Sequence, residues 1–203
     1  MGDGTGPASD GQLWLIVGAL LLLLVGAGAG LWRLRLRRRK DIDRRLREAC
    51  SGVLGNFVIP DGNGEQIQVQ YALLTGRGIL VIDIKDVDGH VFGSEAMQDW
   101  TVLADDRRFT FPNPQPGLWD RVAAVKRLTP EVPVTGFVGF TGSARFTKGQ
   151  PRSVTLLEPL LQELEREASS GRPGPDGYMA AWERLREAAI APRMDHARFS
   201  TPR

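Results

Sequence analysis

The spacing of hydrophobic positions changes several times along this chain. From Leu13 to Trp32 the sequence LWLIVGALLLLLVGAGAGLW holds 20 residues and no charge. As a helix it reaches about 30 Å, the thickness of a bilayer's hydrocarbon core, and it predicts one transmembrane helix. Trp14 and Trp32 stand near its ends, and Arg33, Arg35, Arg37, Arg38, Arg39 and Lys40 come directly after it. Basic residues stay on the cytoplasmic side, so residues 1–12 are expected to form a short extracytoplasmic tail and everything after residue 32 to lie in the cytoplasm. Ala27-Gly28-Ala29 also fits the small-residue cleavage site of a signal peptide. The leading MGDGTGPASD has acids and no Lys or Arg, however, and the arginine run opposes translocation of the downstream chain. Gly26 and Gly30 stand at the GxxxG spacing through which two such helices pack into a homodimer.

Beyond the basic juxtamembrane segment 33–40, Ile42, Leu46, Ala49, Cys50, Val53 and Leu54 recur at helical spacing and predict an amphipathic helix over 41–54. Between Gln66 and Leu74 the period becomes two, with Ile67, Val69, Tyr71 and Leu73 alternating against Gln66, Gln68 and Gln70, as in a strand with one wet face. Thr75-Gly76-Arg77-Gly78 turns the chain into Ile79–Ile84, an almost wholly apolar run that reads as a central strand covered on both faces. Short strands are expected at 90–93, 101–104 and 108–111, completing a meander. Prolines 112, 114 and 116 interrupt. A helix is then expected over 118–128, a strand over 132–140 and a helix over 156–168, in whose first turn Pro159 is tolerated. The resulting plan is a domain over 41–168, a linker SSGRPGPDG over 169–177, and a short helix and tail over 178–203.

Composition narrows the chemistry. The net charge of +2 conceals an asymmetry: residues 33–47 hold nine Arg or Lys against Asp41 and Asp43, and residues 48–203 hold seventeen basic and twenty acidic side chains. The domain itself is slightly acidic, so the pI near 9.0 does not describe a broad nucleic-acid-binding face. Cys50, His90 and His196 are too few for a disulfide or a four-ligand zinc site, and two histidines support no Ser-His-Asp arrangement. His90 reads as an exposed side chain, and Trp100 and Trp119 as packing residues.

In Asp83-Ile84-Lys85 the carboxylate and the amine share one strand face. Such a pair can hold a divalent metal and steer a water for phosphodiester hydrolysis, and it equally fits a surface ion pair at a strand end. The stretch QVQYALLTGRGILVIDIKDVDGHVFGSEAMQDW, Gln68 to Trp100, resembles the nuclease-related domain (NERD) family. That family shows a turn closing in Arg-Gly, an apolar strand ending in Glu/Asp-x-Lys, two glycines and a tryptophan. Arg77-Gly78, Ile79–Ile82, Asp83, Lys85, Gly89, Gly93 and Trp100 fit those places, and with Asn113-Pro114 and the strand over 134–140 the likeness covers residues 42–168. It implies an α/β (α+β) domain with a restriction-endonuclease-like mixed sheet flanked by helices. It also implies a magnesium-dependent nuclease acting on DNA or RNA through Asp83, as metal ligand, and Lys85.

Two positions depart from that pattern. Gln70 stands where the family places its first metal-binding aspartate, and Gly117 where a glutamine often comes after Asn-Pro, with Gln115 two residues early. A neutral amide removes one of the two carboxylates on which such magnesium sites rely. Glu48, Asp86 and Asp88 are the other acids available to complete the set, although Asp86 faces away from Asp83. The reading adopted is a membrane-anchored module with a degenerate, weakly active or inactive site, acting in binding or scaffolding; the alternative is the active nuclease.

Overall fold

The computed structural model describes residues 26, 28–30, 33, 36–105, 107–170 and 176–191. The chain divides into two compact units, Met1–Arg44 and Arg45–Arg203. In the first, every described residue is helical, and a Cβ added to Gly26 or Gly30 would meet no atom within 4 Å. Apart from Gly26, Gly28, Ala29 and Gly30, the predicted membrane span lies outside the described residues. No described helix is long and apolar enough to cross a membrane.

Helical backbone covers residues 36–49, of which 45–49 open the second unit (α1). Next come β1 (Gly52–Pro60), β2 (Gln66–Thr75), β3 (Gly78–Asp86), β4 (Gly89–Phe92), β5 (Asp99–Ala104), β6 (Arg107–Pro112), α2 (Gln115–Leu128), β7 (Val134–Thr141), β8 (Ala144–Phe146), β9 (Val154–Leu156), α3 (Leu157–Ser169), a 3-10 turn (Asp176–Tyr178) and α4 (Met179–Ala188). They make two mixed sheets, ordered β1-β2-β3-β7-β9 and β6-β5-β4-β8. In the first, β3 runs antiparallel to β2 and parallel to β7.

The apolar run in β3 is explained by this position. Flanked by strands on both edges, it also has helices on both faces: Leu118 and Val122 of α2 lie against Gly136 of β7 on one side, and Leu157 of α3 and Ile82 lie against Gly139 on the other. The hairpin into β3 closes at Gly78, whose φ of 123° and 2.2 Å approach of an ideal Cβ to the Pro133 carbonyl leave room for glycine alone. Arg77 beside it pairs with Glu163 and Glu167 of α3. The second sheet is fixed by aromatic packing: Trp100, fully buried, stacks on Phe140 of β7 at 6.2 Å and meets the edges of Phe111 and Phe146. Gly93 lies flat against that indole, since a Cβ there would stand 2.2 Å from Trp100 Cδ2.

Two expectations need correction, and two strands were not anticipated. The first helix stops at residue 49, and Val53 and Leu54 belong instead to β1, because they pair with Leu73 and Ala72 of β2, while Gly52 before them lies against the Trp182 indole of α4. The strands do not form one meander, since β4, β5 and β6 belong to a separate sheet with β8. β8 and β9, three residues each, are too short to show a period.

Gly93→Ala is therefore expected to cost about 1–3 kcal/mol of stability, as overpacking against a buried ring does. Chemical denaturation measures this against Gly177→Ala, where a Cβ meets nothing within 4 Å. Equal midpoints for the two variants would contradict the packing described.

Candidate active site

The site forms where two strands part. Pairing between β2 and β3 runs from Thr75↔Gly78 to Tyr71↔Ile82. Beyond it β3 continues beside β7, with Asp83 level with Val138, while β2 continues beside β1. Both strands of the β1–β2 ladder bend at this level. The residues of the main core run Ile67, Val69, then Ala72, Leu74 on β2, and Leu54, then Phe57, Ile59 on β1, a step of three where alternation gives two. Asn56, opposite the bend, has a φ of 51°, a left-handed conformation that asparagine tolerates better than most residues. The step takes Gln70 out of simple alternation with Gln66 and Gln68. Its side-chain Oε1 accepts the Ile84 N–H at 2.7 Å and so bridges the gap between the parting strands.

Asp83 is 5% exposed, on the face of β3 that α2 covers. Arg121 of α2 reaches it, with Nη1 3.1 Å from Oδ2, while Arg121 Nε donates to the Gln68 carbonyl at 2.7 Å. Oδ1 is buried without a hydrogen-bond partner among the described residues. Burial raises the Asp83 pKa above its ordinary value, against the opposing pull of Arg121 and then Lys85. Lys85 comes next on the same strand face, half-buried. Gly117 lies one helical turn before Arg121, and an ideal Cβ on it would stand 2.9 Å from Nη1.

The other sequence candidates lie apart from this point. Asp86 accepts the Thr141 hydroxyl, Asp88 accepts the backbone and hydroxyl of Ser143, and Glu48 is exposed on α1. His90 is exposed in β4. Among the described residues no three His, Cys, Asp or Glu side chains converge as a metal site would require. Magnesium does not fit the residues present: one carboxylate stands at the site, and one of its oxygens already faces a guanidinium. Burial, with Glu167 nearby, pushes the Cys50 thiol up to about 12, so it supplies no thiolate nucleophile.

Gln115 is buried at the start of α2, where its Nε2 donates to Ser153 Oγ at 2.7 Å. It lines an open cavity of about 510 Å³ with Pro116, Trp119, Phe137 and Arg152. Trp119, expected as a core or helix-packing residue, is 49% exposed there. Sequence reasoning missed Arg121. Its signal was its place on the inward stripe of α2, three residues after Leu118 and four before Val125, where a basic side chain needs a partner.

A strand ending in a buried aspartate and a lysine, closed over by a helix that begins just after Asn-Pro, is the plan of a nuclease-related module. The model of the nuclease-related domain, NERD, matches residues 36–141, just over half of the chain, and the chain belongs to that family. No curated protein and no solved structure matches it.

Because the Asp83 pKa is raised on folding, the folded state holds this proton more tightly than the unfolded chain. The associated stabilisation is complete below the unfolded pKa and is lost as pH rises through the folded one. Against Asp83→Asn, neutral at every pH, the natural chain is therefore expected to gain stability as pH falls from 7 toward about 4, so that any advantage of the variant shrinks over that range. Denaturation across that range checks this; an advantage that grows on acidification would contradict it.

Proposed function

We propose that this chain is a NERD module tethered to the membrane through residues 13–32, with a restriction-endonuclease-like core whose hydrolytic site is silent, and that it acts in binding or scaffolding at the cytoplasmic face. The tether is supported by the uncharged span and the basic residues directly after it. The observation that carries the silent site is the bond from the Ile84 N–H to Gln70 Oε1. Where hydrolysis would need a second anionic oxygen beside Asp83, the chain has a neutral amide, and that amide's oxygen serves the backbone.

Hydrolysis of a phosphodiester needs charge stabilisation at the phosphate and an activated water. Asp83, buried and facing Arg121, is poorly placed to act as a base toward a water. Lys85 makes no hydrogen bond or ion pair among the described residues and keeps its amine available for an anion, so the module retains a means of contacting phosphate without cutting it. Nucleic acid is thus a ligand class consistent with the site, and a protein partner is an equal use of the fold.

Full-length chain expressed in cells is expected to stay with the membrane fraction after an alkaline carbonate wash. In detergent it should show no calorimetric binding of magnesium or manganese, and no cutting of DNA or RNA above a Lys85→Ala control. Metal-dependent cutting that Lys85→Ala abolishes would overturn the silent reading, and release into the carbonate supernatant would overturn the tether.

A further inference from the structure

We infer that Arg121 is a built-in replacement for the cation that an active site of this kind recruits: its guanidinium, tethered through α2, stands against Asp83, and Gly117 supplies the space it occupies. The inference deepens the silent-site reading and rests on it.

Charge matching is the first argument. A hard divalent ion is held by several oxygen ligands with enough negative charge to compensate its own. Here a single buried carboxylate supplies one unit, which one guanidinium balances and a divalent ion would exceed. Geometry is the second. Arg121 is held from two directions, by Asp83 Oδ2 at 3.1 Å and by the Gln68 carbonyl at 2.7 Å, so the planar fork is oriented and does not swing freely. Both anchors belong to the strands that part at Gln70. The guanidinium therefore closes the mouth of the fork, and its side chain is only 28% exposed.

Space is the third argument. The 2.9 Å between an ideal Cβ at position 117 and Nη1 means that a side chain there would crowd the guanidinium at the place where it pairs, and glycine leaves that place open. The two departures in the sequence then have one cause. Gln70 withdraws the negative charge that a divalent ion required, and Gly117 withdraws the side chain that would obstruct the arginine. The orphaned Oδ1 of Asp83 marks what the substitution leaves undone: a metal ion has coordination positions for more than one oxygen, whereas the guanidinium reaches Oδ2.

The test compares the natural full-length chain in detergent with Arg121→Gln, with Gln70→Asp/Arg121→Gln and with Gln70→Asp/Arg121→Gln/Asp83→Asn, by thermal unfolding with and without millimolar manganese or magnesium. Removing the guanidinium leaves a buried carboxylate unpaired, so Arg121→Gln is expected to melt roughly 5 °C below the natural chain. With the internal cation gone and a second carboxylate returned, Gln70→Asp/Arg121→Gln should melt higher in manganese by roughly 5 °C or more. The natural chain and the triple variant should show no metal response. If Gln70→Asp/Arg121→Gln does not accumulate as folded protein, its folded yield from cells grown with and without added manganese carries the same comparison and should rise with the metal. A rise in Gln70→Asp/Arg121→Gln no larger than that in the triple variant would overturn the replacement while leaving the silent site standing. A rise in the natural chain equal to that of Gln70→Asp/Arg121→Gln would overturn it as well. Cutting by the natural chain, by contrast, would bring down the silent reading itself.

Discussion

A carboxylate placed inside a sheet must be compensated from within the protein, and the active-site region is organised around how Asp83 meets that requirement. Water does not reach it, so burial disfavours its charge, and Arg121 and Lys85 oppose that trend. The compensation requires α2 to lie over β3 and β7, which Leu118 and Val122 achieve by packing on Gly136. It also requires β2 to leave β3 at Gln70, so that a helix-borne side chain can enter between the parting strands. Replacing a buried ion pair with apolar residues is often neutral or stabilising, so folding alone gives no reason for Asp83 to be present. In the reading proposed above, the residue is a former ligand that has acquired an internal partner.

The residues that carry the family pattern serve two different purposes. Gly78 accommodates the Pro133 carbonyl, Gly93 accommodates the Trp100 indole, and Arg77 ties the hairpin to α3. These positions build the fold and are intact. Asp83 and Lys85 are the candidate chemical groups, and around them stand an amide at position 70, a glycine at 117 and an arginine at 121. Packing and charge compensation are thus set by largely separate residues, which is how, on the proposed reading, a chain keeps the architecture while its site falls silent.

Much of this is legible in the chain. The unbroken apolar run Ile79–Ile84 places the central strand, the short turn before it places the hairpin, and strand alternation puts Asp83 and Lys85 on one face. The departure at Gln70 is visible through the family resemblance, and the register carried past Tyr71↔Ile82 brings that residue to the level of Asp83. The features that escape depend on distant partners. The start of β1 reads as the end of a helix because Gly55 and Asn56 break its alternation, and its extended form comes from pairing with β2. The bend at Gln70 arises in the pairing of two strands, so no single strand's pattern reveals it. The polarity of Arg121 on the inward stripe of α2 points to a partner, but only the fold shows that the partner is Asp83.

The most direct test of this account is a crystal structure of the natural chain grown or soaked in manganese, with anomalous scattering recorded at the manganese edge. The account predicts no anomalous peak within bonding distance of Asp83 and a guanidinium still seated between Oδ2 and the Gln68 carbonyl. A manganese ion bound to Asp83, with Arg121 displaced from it, would contradict the claim that this chain carries its own cation.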